Sequence, residues 1–69
     1  MPLVYAKPGE KNYIKKIGGK DEVRSHLATL GFVVGECVEV ICEFSGNMIL
    51  NVKDSRVAID KSMAQRIMV

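Results

Sequence analysis

From Glu36 onward, apolar and polar side chains alternate with a period of two, and no other feature limits the fold as strongly. Val38, Val40, Cys42 and Phe44 fall on one side of an extended segment, and Cys37, Glu39, Ile41 and Glu43 on the other. Ser45-Gly46-Asn47 turns the chain, after which Met48, Leu50 and Val52 alternate with Ile49, Asn51 and Lys53. Asp54-Ser55 reads as a second tight turn, and Val57 and Ile59 share one face of the short strand after it. A meander with one apolar face must bury that face. A chain of 69 residues reads as a single domain, residues 1–69, so its remaining segments have to fold onto the meander.

Those segments are short. Lys7-Pro8-Gly9-Glu10 is a Pro-Gly turn, and Lys11 to Ile17 reads as a strand. Ile14 and Ile17 fall on opposite faces of a flat strand, so a bulge or strong coiling is needed to bury both. Gly18-Gly19 breaks the strand. Asp21 to Leu30 then carries a helical period through Val23, Leu27 and Leu30, with Asp21 and Glu22 in the first turn, where the helix dipole favours negative charge. Gly31 is placed as its left-handed cap, with Phe32 folding back onto the helix. Ser62 is expected to cap one helical turn through Gln65, and Arg66 to Val69 a last strand with Ile67 and Val69 inward.

Short strands with exposed edges gain most by rolling up. The expected fold is mainly β: a small SH3-like barrel of about five strands. One α-helix, about residues 21–30, is inserted after the first strand and plugs one end, and a short helical turn precedes the last strand. Val23, Leu27, Leu30, Val38, Val40, Leu50, Val52, Val57, Ile59 and Ile67 are the expected core.

Little in the chain suggests catalysis or a cofactor. The single histidine, His26, lies in mid-helix beside Ser25 and Thr29 with no acid placed to orient it, and reads as a surface residue. Gly18-Gly19-Lys20 lacks the spacing of a phosphate loop. Cys37 and Cys42 are five apart on one strand, which sends them to opposite faces and argues against a shared thiolate site. Cys42 reads as a small core residue and Cys37 as an exposed or edge thiol, with Glu36 or Glu39 its only metal-binding company. We therefore expect no tightly bound cofactor and at most a weak transition-metal association. A formal charge of +2, with no Trp, two Tyr and two Phe, is a poor basis for binding nucleic acid. No apolar run spans a bilayer and no signal-peptide pattern opens the chain, so membrane insertion is not expected.

What remains is surface. Lys7, Lys11, Lys15, Lys16, Lys20 and Arg24 crowd the first third, while Glu36, Glu39 and Glu43 line one strand. Two partner-binding surfaces are expected. One is an outward apolar face with Ile41 beside Ile49; the other is a basic face with Lys11, Lys15 and Lys16. A weak homo-oligomer is compatible with either.

Lys7-Pro8-Gly9-Glu10, Ile14 to Gly19, Leu30-Gly31-Phe32 with Gly35, Val57-Ala58-Ile59 and the ending Ala64-Gln65-Arg66-Ile67-Met68-Val69 together resemble the ferrous iron transport protein A (FeoA) family. The resemblance covers essentially the whole chain. Gly9, Gly19, Gly31 and Gly35 fall at its turns, and Ala58 and Ala64 read as small residues at a tight barrel seam. Val34 stands where the family often has proline, and Asp54-Ser55 where its hairpin commonly has glycine. The resemblance implies a non-enzymatic, cytoplasmic accessory protein of bacterial ferrous iron uptake. Its implied partner is the cytoplasmic GTPase region of the membrane iron permease. It carries over no catalytic residue. The barrel is also similar to the C-terminal regulatory domain of metal-dependent repressors, and a small iron chaperone is a third reading.

Overall fold

The computed structural model describes residues 1–69. A 3-10 turn, Leu3–Tyr5, is followed by strands β1 (Lys11–Tyr13) and β2 (Lys16–Ile17) and helix α1 (Asp21–Thr29). Then come β3 (Cys37–Phe44), β4 (Asn47–Val52), β5 (Ser55–Asp60), the one-turn helix α2 (Lys61–Ala64) and β6 (Ile67–Met68). The three strands of the expected meander form, β3, β4 and β5. The meander is extended by β1 into an antiparallel sheet of order β1-β3-β4-β5, while β2 and β6 form a separate two-stranded sheet. Both hairpin loops are two residues long, Ser45-Gly46 and Lys53-Asp54, and all four residues have positive φ. That is the turn whose twist matches paired strands. The second turn thus lies one residue earlier than Asp54-Ser55.

The expected strand from Lys11 to Ile17 is in fact two strands in different sheets. β1 pairs with β3, but the Ile14 N–H donates to the Glu36 carbonyl at 2.9 Å and the Lys15 N–H to the Met68 carbonyl at 2.7 Å. This switch of partner solves the problem of Ile14 and Ile17. Ile14 is buried and Ile17 half-buried, because the chain turns between them. The two sheets do not close into one hydrogen-bonded barrel, so β5 keeps a free edge that rolling up would have removed.

The core gathers Leu3, Ile14, Leu27, Phe32, Val38, Val40, Met48, Leu50, Val52, Ile59, Ala64, Ile67 and Val69, with Ala6. Val23, Leu30 and Val57 pack against it from half-buried positions, not inside it as expected. Ala58 is exposed, so of the two small residues only the buried Ala64 relieves crowding. α2 is capped by Asp60 rather than Ser62: Asp60 Oδ1 accepts from the Met63 N–H and the Ser62 hydroxyl, each at 2.8 Å. The carboxylate precedes the free N–H groups of the first turn, the position a cap requires.

Helix α1 ends at Thr29, with Leu30 as its cap residue. The Gly31 N–H donates to the Ala28 carbonyl at 3.0 Å and the Phe32 N–H to the Leu27 carbonyl at 2.9 Å. This pair of bonds closes the helix, and it needs Gly31 in the left-handed region, at φ 104°. A Cβ there would meet Val52 and Lys53 at ordinary contact distance, 3.6 Å. The requirement for glycine is therefore one of backbone strain and not of space.

Three outcomes follow. Leu27→Ala empties a fully buried site and should cost about 2–5 kcal/mol in chemical denaturation; an unchanged midpoint would mean the helix is not packed on the core. Gly31→Ala should cost about 1–2 kcal/mol through the left-handed φ alone, and an equally stable variant would contradict that origin. Hydrogen bonds from the Met63 N–H and then the Ser62 hydroxyl hold the Asp60 carboxyl below its ordinary 3.8. A lowered folded-state value stabilises the native chain above the unfolded pKa, and this is lost as pH falls through the folded one. Asp60→Asn keeps an acceptor without the charge, so its stability should fall less than wild type from about pH 5 to pH 2. Parallel curves would refute a contribution from the carboxylate's charge to the cap.

Candidate functional site

The outer face of the four-stranded sheet is shaped by one irregularity in β3. Val38 pairs with Val52 and Val40 with Leu50, but the next pair is Cys42 with Ile49. Ile41 is an extra residue with no opposite number on β4: a bulge. Beyond it every side chain of β3 changes face. Cys42 and Phe44, expected in the core, point outward and are exposed, whereas Glu43 lies opposite buried Met48. Glu43 avoids burial at the sheet's end, where its carboxylate is 3.5 Å from the Lys61 ammonium.

The bulge rearranges the expected apolar pair. Ile41 is half-buried and is not the neighbour of Ile49. Ile49 instead lies between Cys42 on β3 and Ala58 on β5. Phe44, 72% exposed, stands two residues beyond Cys42 at the mouth of the Ser45-Gly46 turn. Sequence reasoning missed Phe44 and Cys42 because strict alternation assigns both inward. The one available hint was a phenylalanine next to a type I′ turn, where a small core has little depth left.

The other end of this outer face is mostly polar, with exposed Tyr13 opposite Cys37 as its aromatic residue. Lys11, Glu39 and Asn51 form a cross-strand row over β1, β3 and β4. With Glu36, Cys37, Lys53 and Asp54 they line an open cleft of about 270 Å³. Its two lysines and three carboxylates leave one net negative charge, so both signs are present and the cleft has only a slight preference for a cation. Lys15 and Lys16 lie elsewhere: Lys16 is on β2, opposite Met68. The basic face is therefore divided between two sheets, with Lys11 on one and Lys15 and Lys16 beside the other.

The bulge also overturns the parity argument about the thiols. Cys37 and Cys42 share the outer face after all, Cys37 half-buried and Cys42 exposed. They remain far apart, since five residues of strand span about 16 Å. No three His, Cys, Asp or Glu side chains converge on a point where one ion could sit. His26 is exposed on α1, and the Thr29 hydroxyl donates to its backbone carbonyl at 2.6 Å, a contact internal to the helix. No helix is long and apolar enough to cross a membrane.

Thiol accessibility checks the bulge directly. A disulfide reagent should modify Cys42 well before Cys37, because Cys42 is exposed and Cys37 half-buried, and access limits the reaction. The fast phase should survive Cys37→Ser and vanish in Cys42→Ser; a fast phase that is lost in Cys37→Ser and kept in Cys42→Ser would place Cys42 back in the core.

The model of the FeoA domain matches residues 1–69. A Methanocaldococcus jannaschii protein provisionally named Fe(2+) transport protein A is 35% identical over 68 residues, covering 99% of this chain and 83% of its own. The crystal structure of an iron uptake regulatory protein (FeoA) superposes with a TM-score of 0.91 at 35% identity, over 99% of this chain and 90% of that one. A zinc complex of FeoA from Stenotrophomonas maltophilia, described as a procaryotic SH3 domain protein, has a TM-score of 0.86 at 24% identity. It covers 100% of this chain and 88% of that one, and supports the fold alone. With a family match over its whole length and a relative at this level of identity, the chain belongs to the FeoA family.

Proposed function

We propose that this protein is a non-enzymatic accessory factor of ferrous iron uptake, acting in the cytoplasm by docking on the GTPase region of the membrane iron permease. Membership of the FeoA family supports the iron-transport setting. The observation that carries the mode of action is Phe44, 72% exposed beside Cys42 and Ile49 on the outer face. A large exposed aromatic gains most when a partner covers it, and aromatic anchors of this kind dominate binding energetics. Ferrous iron is the cargo of the system, carried by the permease, and the protein regulates or assembles that permease without holding the ion tightly.

The basic residues give a competing mode. Lys15 and Lys16 are exposed and could steer an acidic partner surface, but the separation of Lys11 onto the other sheet weakens that patch. Titrating the protein against the permease GTPase domain separates the two. Docking through the apolar face predicts that Phe44→Asp weakens binding by about tenfold or more, with little salt dependence. Charge reversal at Lys16 should then change affinity by less than about twofold. A strong salt dependence with Phe44→Asp neutral would transfer the interface to the basic residues, and no binding at any salt would defeat the proposal.

A further inference from the structure

β5 is an end strand, with β4 on one side and no strand on the other. Its pairing with β4 is regular through all six residues, with no proline and no bulge. The two-residue turn makes Val52 and Ser55 a hydrogen-bonded pair, and by alternation Val57 and Ile59 also direct their N–H and C=O groups at β4. The N–H and C=O groups of Arg56 and Ala58, and the Asp60 N–H, therefore face the open edge. None of them takes part in the turn, loop or cap hydrogen bonds of the chain. Edges of this kind are templates for another strand.

The side chains say which strand fits. Arg56, Ala58 and Asp60 are exposed on one face of β5, with opposite charges at the two ends and a methyl group between. Arg56 has no ion pair within the chain, and Asp60 uses only Oδ1 for its cap, leaving Oδ2 free. We propose that β5 is a homodimer edge, on which a second copy of the chain pairs antiparallel about a two-fold axis at Ala58. In that register each Arg56 stands directly opposite Asp60 of the other copy. Ala58 meets Ala58 at the axis, where its small side chain permits close approach. Val57 stands opposite Ile59 of the other copy on the inner face. The edge groups then form four hydrogen bonds, two between the Ala58 residues and two from the Asp60 N–H groups to the Arg56 carbonyls. Moving the axis by two residues sets Arg56 against Arg56, or Asp60 against Asp60. The charges therefore select one register as well as one partner. Two four-stranded sheets join into one of eight strands, and the outer faces carrying Phe44 lie on its two halves.

Sedimentation equilibrium of the reduced protein from about 10 μM to 1 mM tests this, since association follows mass action. The average mass should rise toward twice that of the chain, and exchange of the Ala58 and Asp60 amides should slow over the same range. Arg56→Glu, at an exposed position, should weaken association by about tenfold or more by placing like charges in register. A chain that stays monomeric to the highest concentration overturns the proposal. So does a dimer whose association constant is unchanged by Arg56→Glu, or one in which the Ala58 and Asp60 amides exchange as fast as in the monomer.

Discussion

The pairing of β3 with β4 organises the rest of the molecule. It supplies five of the fully buried or nearly buried side chains, Val38, Val40, Met48, Leu50 and Val52, and gives β1 and β5 the edges on which they lie. Its register also contains the bulge at Ile41, and that single extra residue decides what the surface looks like. Before the bulge β3 sends valines inward, where burying each contributes on the order of 1.5–3 kcal/mol. After it, the same strand turns Cys42 and Phe44 to solvent. One sheet thus carries both the core and the exposed apolar strip.

The remaining segments close over the inner face from several directions. The chain leaves β1, changes partner at Ile14 and Lys15, and pairs with β6. Beside that small sheet Pro2 bridges Met68, and the Met1 ammonium donates to the Val69 carbonyl at 2.8 Å while the Val69 N–H donates to the Met1 carbonyl at 2.8 Å. These bonds bring Leu3, Ile67 and Val69 into the core from both ends of the chain. Helix α1 commits Leu27 fully and is held at its exit by the glycine-dependent bonds of Gly31 and Phe32. In so small a domain each of these contacts is a sizeable part of the net stability.

The meander, α1 and the left-handed Gly31 were readable in the sequence because each rests on a local rule: a period of two, a period near four, and a backbone position that suits only glycine. What was hidden depends on contacts distant in sequence. The division of Lys11–Ile17 follows from where Glu36 and Met68 arrive, and nothing within those seven residues announces it. A bulge preserves the alternating pattern on either side of itself, so Cys42 and Phe44 kept their place in the pattern while changing face. That one residue also explains why the candidate site was half legible. Ile49 was found, its true neighbours were not, and the lysines grouped by sequence proved to lie on separate sheets. The cap of α2 went to Asp60 because the strand ends one residue before the helix begins.

A FeoA-family chain with this surface has an apolar strip on a rigid sheet, at the opposite end of the outer face from a cleft of mixed charge and on a different sheet from Lys16. A rigid strand face presents its anchor with little ordering to be lost on binding, which favours it over a mobile loop. Backbone amide NMR of the labelled protein, titrated with the permease GTPase domain, tests this most directly. The account predicts that the largest perturbations cluster at Cys42, Phe44, Asn47 and Ile49, with Lys15, Lys16 and Met68 unaffected. Perturbations centred on Lys15, Lys16 and Met68, with the Phe44 strip silent, would contradict it.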